Sequence, residues 1–176
     1  SKLYDSTTTT DVALFLDVRT VEPPMQGFIA SLLELDAVVA ASIANFAVEE
    51  GFRVGLYVNQ SSYGTDRLIK LPPSQHPDQL VRILEALAHV HSLEVVPIDR
   101  LVRQESSSLS WVATVAVVTA APTIGLMDTL AQLRSTGRKV ALIYVGGDLS
   151  RTSSDGLPVF CVEDTVLWDK LPEVTL

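Results

Sequence analysis

The chain has 176 residues, of which 47% are hydrophobic and 6% aromatic, so we expect a single domain with a mainly aliphatic core. Its net charge is −8, from 13 basic and 21 acidic side chains, and no Lys or Arg cluster interrupts that balance. Because such a surface repels a phosphate backbone, the charge argues against a nucleic-acid partner. The single cysteine, Cys161, excludes an internal disulfide and a zinc site built from cysteines alone.

The first half of the chain alternates between strand and helix patterns. Residues 12–18 form an apolar run that predicts a strand buried on both faces of a parallel sheet, and a Pro-Pro-x-x-Gly loop follows. Apolar residues at helical spacing predict a helix over residues 34–50, with Gly51 as its C-terminal stop. The strand pattern of residues 53–59 completes a βαβ unit.

A peripheral segment and a second helix follow. Residues 60–73 predict a turn and a short strand, whose two prolines favour an edge or exit position. Pro77 is predicted to open an amphipathic helix that ends near His89 and His91. Residues 95–106 predict a short strand and then a helical turn, which leads into a serine-rich loop.

The second half of the chain repeats the alternation. The β-branched run of residues 112–120 is the most strand-like segment of the chain. A helix is predicted over residues 123–137, and residues 139–147 form another strand pattern. Residues 157–164 predict a strand and a turn, and residues 165–171 predict a short terminal helix.

Alternating strands and helices predict one three-layer, Rossmann-like α/β domain over residues 1–176, with a mostly parallel central sheet, helices on both faces and a short edge strand. The most apolar window, residues 31–48, contains Glu34 and Asp36 and repeats small residues on a helical period. This pattern favours burial against a sheet over a membrane span. The opening residues SKLYDSTTTT resemble the middle of a linker or strand, so we expect a fragment of a longer protein.

Four segments, in their order and spacing, carry a resemblance to a known family. They read ALFLDVRT, LELDAVVAASIANFAVEEGFRVGLYVN, LSWVATVAVVTAAP and LAQLRSTGRKVALIYVG. Over roughly residues 11–147 the chain resembles the domain of unknown function 58 family, whose members carry a von Willebrand factor A-like domain. In that family a strand ending in Leu-Asp or Leu-Asn precedes a glycine loop, a helix rich in Ala-Ala-Ser and a Gly-x-x-Val-Gly-Leu strand.

The resemblance implies a protein-interaction domain whose parent protein is anchored in the membrane and holds this domain on the cytoplasmic side. It also implies partnership with an AAA+ ATPase of the MoxR type in assembly or chaperone-like work, since genes of the two are often neighbours. Family members carry two transmembrane helices and a Gly-Asp-Asp-x-Arg-x-Ile-x-Trp-like motif before the domain. This sequence contains neither, which agrees with the expected fragment.

The resemblance also raises the question of a metal site at the end of the first strand. A domains hold a hard cation in an Asp-x-Ser-x-Ser loop, which a distant threonine and a second aspartate complete. The matching positions here are Asp17, Arg19 and Val21, and Thr119 and two alanines stand where many A domains have Thr-Asp-Gly. A divalent cation would lack ligands and be repelled by Arg19. We therefore predict a degenerate loop without metal, in which Asp17 pairs with Arg19 or accepts backbone N–H bonds.

Other chemistry has little support in the sequence. Gly146-Gly147-Asp148 could form a phosphate-binding turn, but no Gly-x-Gly-x-x-Gly or Gly-Lys-Ser/Thr motif accompanies it. His89 and His91 are two residues apart, which does not place both on one helical face for a metal. No Gly-x-Ser-x-Gly elbow supports a serine nucleophile, so we expect no enzymatic activity and no cofactor.

The leading hypothesis is a non-enzymatic protein-interaction domain whose partner binds the loops at the carboxyl ends of the strands. The candidate binding residues are Asp17, Arg19, Thr20 and Thr119. Arg19 and Thr20 are expected to be the first surface positions to probe. Two alternatives stay open: a metal-dependent A domain that uses Asp17, and a small-molecule or nucleotide-binding α/β enzyme suggested by fold class alone. Trp111 and Trp168 are expected in the core or as caps, and as interface anchors if exposed.

Overall fold

The computed structural model describes residues 9–22, 24–147 and 156–163. The strands are β1 (Asp11–Leu16), β2 (Arg53–Ser61), β3 (Leu68–Ser74), β4 (Thr114–Thr119), β5 (Lys139–Val145) and β6 (Val159–Val162). The helices are α1 (Ala30–Glu49), α2 (Gln79–Ala88), α3 (Ile98–Ser106) and α4 (Ile124–Ser135), with a 3-10 turn at Pro24–Gln26. The terminal helix predicted at residues 165–171, with Trp168, and Asp148 of the glycine turn lie outside the described residues.

The described strands form one six-stranded sheet in the order β3-β2-β1-β4-β5-β6. Strand β3 is antiparallel to β2, and the other four neighbouring pairs are parallel. The mostly parallel sheet and the edge position predicted for residues 60–73 are therefore confirmed. The close approach of β3 to β2 requires Gly55, because a Cβ there would lie 2.5 Å from the carbonyl oxygen of Leu71.

Apolar cores lie on both faces of the sheet, so the domain has three layers, as predicted. Alternate residues of β1 point to opposite faces. Leu14 and Leu16 enter the core under α1 and α2, whereas Ala13 and Phe15 enter the core under α3 and α4. All four side chains are fully buried, which is the pattern expected for a central parallel strand.

Helix α1 begins at Ala30, earlier than the predicted start at residue 34. Its N-cap residue, Ile29, makes no side-chain cap hydrogen bond. The Ile29 backbone N–H instead donates to Thr20 Oγ1 at 2.7 Å. The start of the helix is therefore set by a contact across the β1–α1 loop, which leaves no capping signature next to the helix in the sequence.

Helix α2 begins two residues later than predicted, since Pro77 and Asp78 precede it and Gln79 is its first residue. The Gln79 side chain is buried, and its amide donates to the backbone oxygens of Val54 and Pro72 at 2.9 and 3.0 Å. This polar contact ties the start of α2 to strands β2 and β3.

Residues 95–106 are mainly helical, which corrects the mixed prediction for this segment. The strand predicted at residues 95–96 does not form, and α3 follows Pro97 directly. Helix α3 buries Ile98, Leu101 and Val102 in the core beneath β1 and β2. Packing of this apolar side therefore extends the predicted helical turn to nine residues.

Helix α1 is the one described helix that is long and apolar enough to cross a membrane by length and composition alone. In the structure it packs along the sheet, and 39% of its most apolar window is buried. Ala40, Ala44 and Ala47 lie in the core beside Leu33 and Leu35. Small side chains at this spacing let the helix lie close to the strands.

Candidate functional site

The candidate site lies at the carboxyl edge of the sheet, where the parallel strands β1, β2 and β4 end side by side. Asp17 follows β1, Asn59 lies near the end of β2, and Thr119 is the last residue of β4. All three side chains are buried. Parallel strands bring polar residues that are distant in sequence to one edge, which is where open α/β sheets place their sites.

The Asp17 carboxylate accepts three hydrogen bonds. Its Oδ1 accepts from Asn59 Nδ2 at 2.9 Å and from the Arg19 backbone N–H at 3.0 Å. Its Oδ2 accepts from Thr119 Oγ1 at 2.9 Å. The carboxylate therefore ties together the ends of three neighbouring strands.

The partners of Asp17 are themselves occupied. Asn59 Oδ1 accepts from the Val18 backbone N–H at 2.9 Å, and Thr119 Oγ1 accepts from the Ala121 backbone N–H at 3.0 Å. Of the two structural roles predicted for Asp17, the structure shows the acceptance of a backbone N–H bond. The hydrogen bonds and ion pairs of the Arg19 guanidinium go to other carboxylates.

Arg19 is held by two glutamates. Its Nε and Nη2 donate to Glu94 Oε2 at 3.0 and 2.6 Å, and its Nη1 donates to Glu22 Oε2 at 2.9 Å. Burial alone would lower the pKa of the guanidinium, but the bonds and charge of Glu94, the bond of Glu22 and the charge of Asp17 together outweigh burial and raise that pKa. Arg19 is mostly buried rather than a free surface cation, with its side chain 18% exposed.

Thr20 is buried as well, so its expected place as a surface probe is wrong. Its Oγ1 accepts the Ile29 backbone N–H, and this bond closes the β1–α1 loop onto the start of α1. A β-branched residue with one hydroxyl suits this bracing role, because its side chain has few rotamers to lose. Thr20 therefore supports the loop rather than a partner contact.

Asp36 on α1 is a buried acidic residue that the sequence reasoning did not select as a site residue. Its side chain is fully buried, and within the described structure neither carboxyl oxygen has a hydrogen-bond partner. A signal was available, since Asp36 falls on the helical period of the buried residues Leu33, Ala40 and Ala44. A charged residue on the core stripe of a helix marks either a site or a strained position.

The two buried aspartates have perturbed acidities. Burial raises the pKa of Asp17 to about 6, even though three hydrogen bonds act in the opposite direction. Burial raises the pKa of Asp36 well above its usual range, and the nearby charge of Asp17 raises it further. Asp36 therefore carries its proton more readily than an ordinary carboxyl group does.

The other candidates from the sequence lie apart from this centre. His89 and His91 are exposed at the end of α2, where His91 Nδ1 accepts the Leu93 backbone N–H at 3.3 Å. Cys161 lies half-buried in β6. Trp111 is 61% exposed, which corrects the core placement, and the Arg138 guanidinium lies 5.3 Å from its ring centre.

In the described part of the chain, four segments surround the buried centre and are called the carboxyl-edge loops: residues 17–22 with 24–29, residues 62–67, residues 89–97, and residues 120–123 with Ile124 at the start of α4. They expose seven large apolar side chains, which are Met25, Phe28, Ile29, Tyr63, Leu93, Val95 and Ile124. Met25 is 97% exposed and Ile124 is 82% exposed. The polar centre of this edge is closed, and the loops around it expose large apolar side chains beside polar ones such as Glu22, Asp66 and Arg67.

The fold has known relatives among solved structures. One is the von Willebrand factor A domain of SpRpn10, with a TM-score of 0.57, 9% sequence identity and 89% of each chain covered. A second is an aerotolerance-related membrane protein from Bacteroides fragilis with multiple mutations to serines, with a TM-score of 0.55, 12% identity, and 93% of this chain and 97% of that chain covered. A third is BatB, a conserved hypothetical protein from Bacteroides thetaiotaomicron, with a TM-score of 0.54, 12% identity, and 93% and 98% covered.

The chain has a von Willebrand factor A-like fold. No protein-family model matches the sequence, and no curated protein matches it. At the identities of these solved structures the similarity concerns the fold, and function has to be argued from the site.

The residues of this A-like domain do not fit the divalent cation that the resemblance associates with the strand-end loop. Both Asp17 oxygens accept hydrogen bonds from donors, and the hydroxyl of Thr119 is already bonded on both sides. Arg19 occupies the same loop with its own positive charge. Among the described residues, no group of three His, Cys, Asp or Glu side chains is placed to hold a metal ion.

Proposed function

We propose that this chain is a non-enzymatic protein-binding domain whose partner docks on the carboxyl-edge loops without a divalent metal. The observation that carries the proposal is the set of large apolar side chains exposed on these loops. Exposed apolar clusters are typical of interaction surfaces, because a monomer in water rarely leaves many large side chains unburied on one edge.

The polar centre supports a scaffolding role beneath that surface. Asp17 has three internal donors, and Arg19 is paired with Glu94 and Glu22. A catalytic acid or base needs a group that can reach a substrate, whereas Asp17 is buried and Glu94 is mostly buried, and both are bonded to groups of the protein itself. The arrangement fits a rigid platform that positions the loops for a partner.

The setting of the domain is part of the proposal. One structural neighbour is described as a membrane protein, and the family resemblance implies a membrane-anchored parent with this domain on the cytoplasmic side. The resemblance also points to an AAA+ ATPase of the MoxR type as the partner, in assembly or chaperone-like work. We therefore expect the parent protein to present this domain to a soluble partner at the membrane surface.

The test is affinity capture of the full-length parent from detergent-solubilised membranes, with Mg²⁺ and with a chelator in parallel. The parent is compared with the double variant Met25→Ser/Leu93→Ser and with Val112→Ser. Val112 is an equally apolar, exposed residue in the α3–β4 connection at the opposite edge of the sheet. Loss of a partner in the double variant and its retention in Val112→Ser, in both conditions, is the expected result.

A partner retained equally by all three proteins would place the interface elsewhere and overturn the proposal. Retention only with Mg²⁺ would favour a metal at the Asp17 loop, provided that Asp17→Ala abolishes it, since an ATPase has its own Mg²⁺ requirement. The absence of a metal stays a prediction, which calorimetry with Mg²⁺ and Mn²⁺ on the domain tests independently. No captured partner in either condition would favour a small-molecule ligand.

A further inference from the structure

An open groove runs between the first half of α1 and the last turn of α2. Its volume is about 610 Å³. Leu33 and Leu87 are buried at its base, whereas Phe28 and Val38 are about half exposed along its walls. A groove of this size lies in the range of ligand-binding pockets, so it has room for several side chains.

The geometry of the groove favours a helical occupant. Helices α1 and α2 run in opposite directions on the same face of the sheet, and the groove lies between them. On the exposed side of α2, Val81, Leu84 and Ala88 follow a helical period that leads into the groove. A third amphipathic helix can place its apolar ridge in such a space, as in other helix-in-groove complexes.

The charges beside the groove favour a basic occupant. Glu34 is an exposed acidic residue of α1 in the groove lining. The last turn of α2 contains no basic residue, so the negative end of its dipole is not neutralised by Lys or Arg. Arg19, the mostly buried cation of the β1–α1 loop, is already paired with Glu94 and Glu22, and the whole chain carries a net charge of −8.

We infer that the groove holds an amphipathic helix of the partner protein, with its apolar side in the groove and a Lys or Arg facing Glu34. This inference rests on the proposed protein-binding function and adds the chemistry of the partner. The carboxyl-edge loops and the groove share Phe28, Val90, His91 and Ser92, so one partner can contact both surfaces.

The probe is a synthetic peptide of about 18 leucine and lysine residues in a helical period, long enough to form a helix. Two control peptides replace lysine with glutamate or scramble the order of the residues. Binding to the domain is measured by fluorescence anisotropy at low and high salt. Matched variants separate the groove from the rest of α1: Val38→Ser and Glu34→Lys lie in it, whereas Val48→Ser and Glu49→Lys are exposed positions at the other end of α1.

The expected result is saturable binding of the helical leucine–lysine peptide, about tenfold weaker in Val38→Ser and in Glu34→Lys, and unchanged in Val48→Ser and Glu49→Lys. Equal weakening of peptide binding in Glu34→Lys and Glu49→Lys would show that the peptide responds to net charge alone, and would overturn the groove as its binding site. Equal binding of the scrambled peptide would also overturn it, as would tighter binding of the leucine–glutamate peptide or no saturable binding.

The two proposals fail in different measurements. If the peptide does not bind in the groove but Met25→Ser/Leu93→Ser still loses the captured partner, the proposed groove site is wrong and the proposed carboxyl-edge interface is supported. If capture is insensitive to the loop variant, the proposed function fails regardless of the peptide. Capture with Val38→Ser and Val48→Ser in the full-length parent then links the peptide result to the natural partner.

Discussion

The end of β1 and the first turns of α1 each bury an aspartate, and the two surroundings differ in one respect. Asp17 at the end of β1 is met by a backbone N–H, an amide and a hydroxyl. Asp36 on α1 is met by no hydrogen-bond donor within the described structure. Both carboxyl groups are almost fully removed from water.

The difference shows how hydrogen-bond donors limit the rise in the pKa of a buried carboxyl group. Burial raises the pKa of both groups, but the three donors at Asp17 hold its pKa to about 6, whereas the pKa of Asp36 rises well above its usual range. Asp17 is therefore a structural acceptor, and Asp36 is a position that weakens the fold when it is ionised.

Removal of the Asp17 carboxylate should have the largest effect. Asp17→Leu leaves three donors without an acceptor in a buried site, and we expect it to lower the free energy of unfolding by about 3 kcal/mol. Asp17→Asn keeps an oxygen for Asn59 and the Arg19 N–H, and its amide can donate to Thr119, so we expect a change of less than about 1 kcal/mol. Urea denaturation followed by circular dichroism measures both values. Equal stability of Asp17→Leu and the unsubstituted domain would contradict the role of Asp17 as a stabilising hydrogen-bond acceptor.

Removal of the Asp36 carboxyl group should raise the free energy of unfolding instead of lowering it. Asp36→Leu replaces an unpaired buried polar group with an apolar one, and we expect a gain in stability of about 2 kcal/mol at pH 8. Asp36→Asn removes only the ionisation and leaves an unpaired polar group, so its gain should be smaller. A loss of stability in Asp36→Leu at every pH would show that the carboxyl group has a stabilising partner.

The gain in Asp36→Leu should depend on pH in a defined direction. The folded-state pKa of Asp36 is raised, so its contribution to stability is fully present below its unfolded value of about 3.8 and is lost as the pH rises toward the folded pKa. For Asp17 the same loss falls between pH 3.8 and about 6. Urea denaturation midpoints are measured from pH 4 to pH 8. The midpoint of Asp36→Leu should exceed that of the unsubstituted domain by more at pH 8 than at pH 4.

Loss of the ion pairs of Arg19 should change the free energy of unfolding by a smaller amount, and the change should be larger for Glu94 than for Glu22. Glu94 is mostly buried and bonds Arg19 twice, so we expect Glu94→Gln to lower the free energy of unfolding by about 1 kcal/mol. Glu22 is half exposed and bonds Arg19 once, so Glu22→Gln should change it by less than about 0.5 kcal/mol. Urea denaturation at two salt concentrations compares them, and equal values would show that burial does not distinguish the two pairs.

The coupling between the two aspartates should be the smallest effect. The charge of Asp17 raises the pKa of Asp36, so Asp17→Asn should lower that pKa. Carbon-13 NMR titration of the Asp36 carboxyl group measures the change directly. In a double-mutant cycle of Asp17→Asn and Asp36→Asn, measured as free energies of unfolding at pH 8, we expect an interaction energy between the two residues of about 0.5 kcal/mol. An unchanged titration of Asp36 would show that the two groups do not interact.

The elements of the fold were predictable to a large extent. The apolar run at residues 12–18 contains β1, and the two prolines of β3 correctly indicate an edge. The start of α1 was not predictable, because Thr20 braces Ile29 across a loop. The exposure of Trp111 was also unpredictable, since a bulky aromatic ring normally indicates a core position.

The site was predictable only in its location. Asp17 stands at a strand end, which local sequence shows, and the loss of the serine positions argues against a metal ligand set. Two of the three donors to its carboxylate come from Asn59 and Thr119, which are 42 and 102 residues away. Thr119 is among the candidate residues from the sequence and Asn59 is not, but no local pattern pairs either residue with Asp17, because they meet only when three parallel strands align.

The sequence by itself determined the alternation of strands and helices and the apolar faces, since hydrophobic period is a local property of the chain. Only the tertiary structure decided which polar groups meet at the carboxyl edge, which of two buried aspartates has donors, and which loops expose their apolar side chains. These outcomes depend on contacts between residues far apart in sequence, and the packing of the layers sets them.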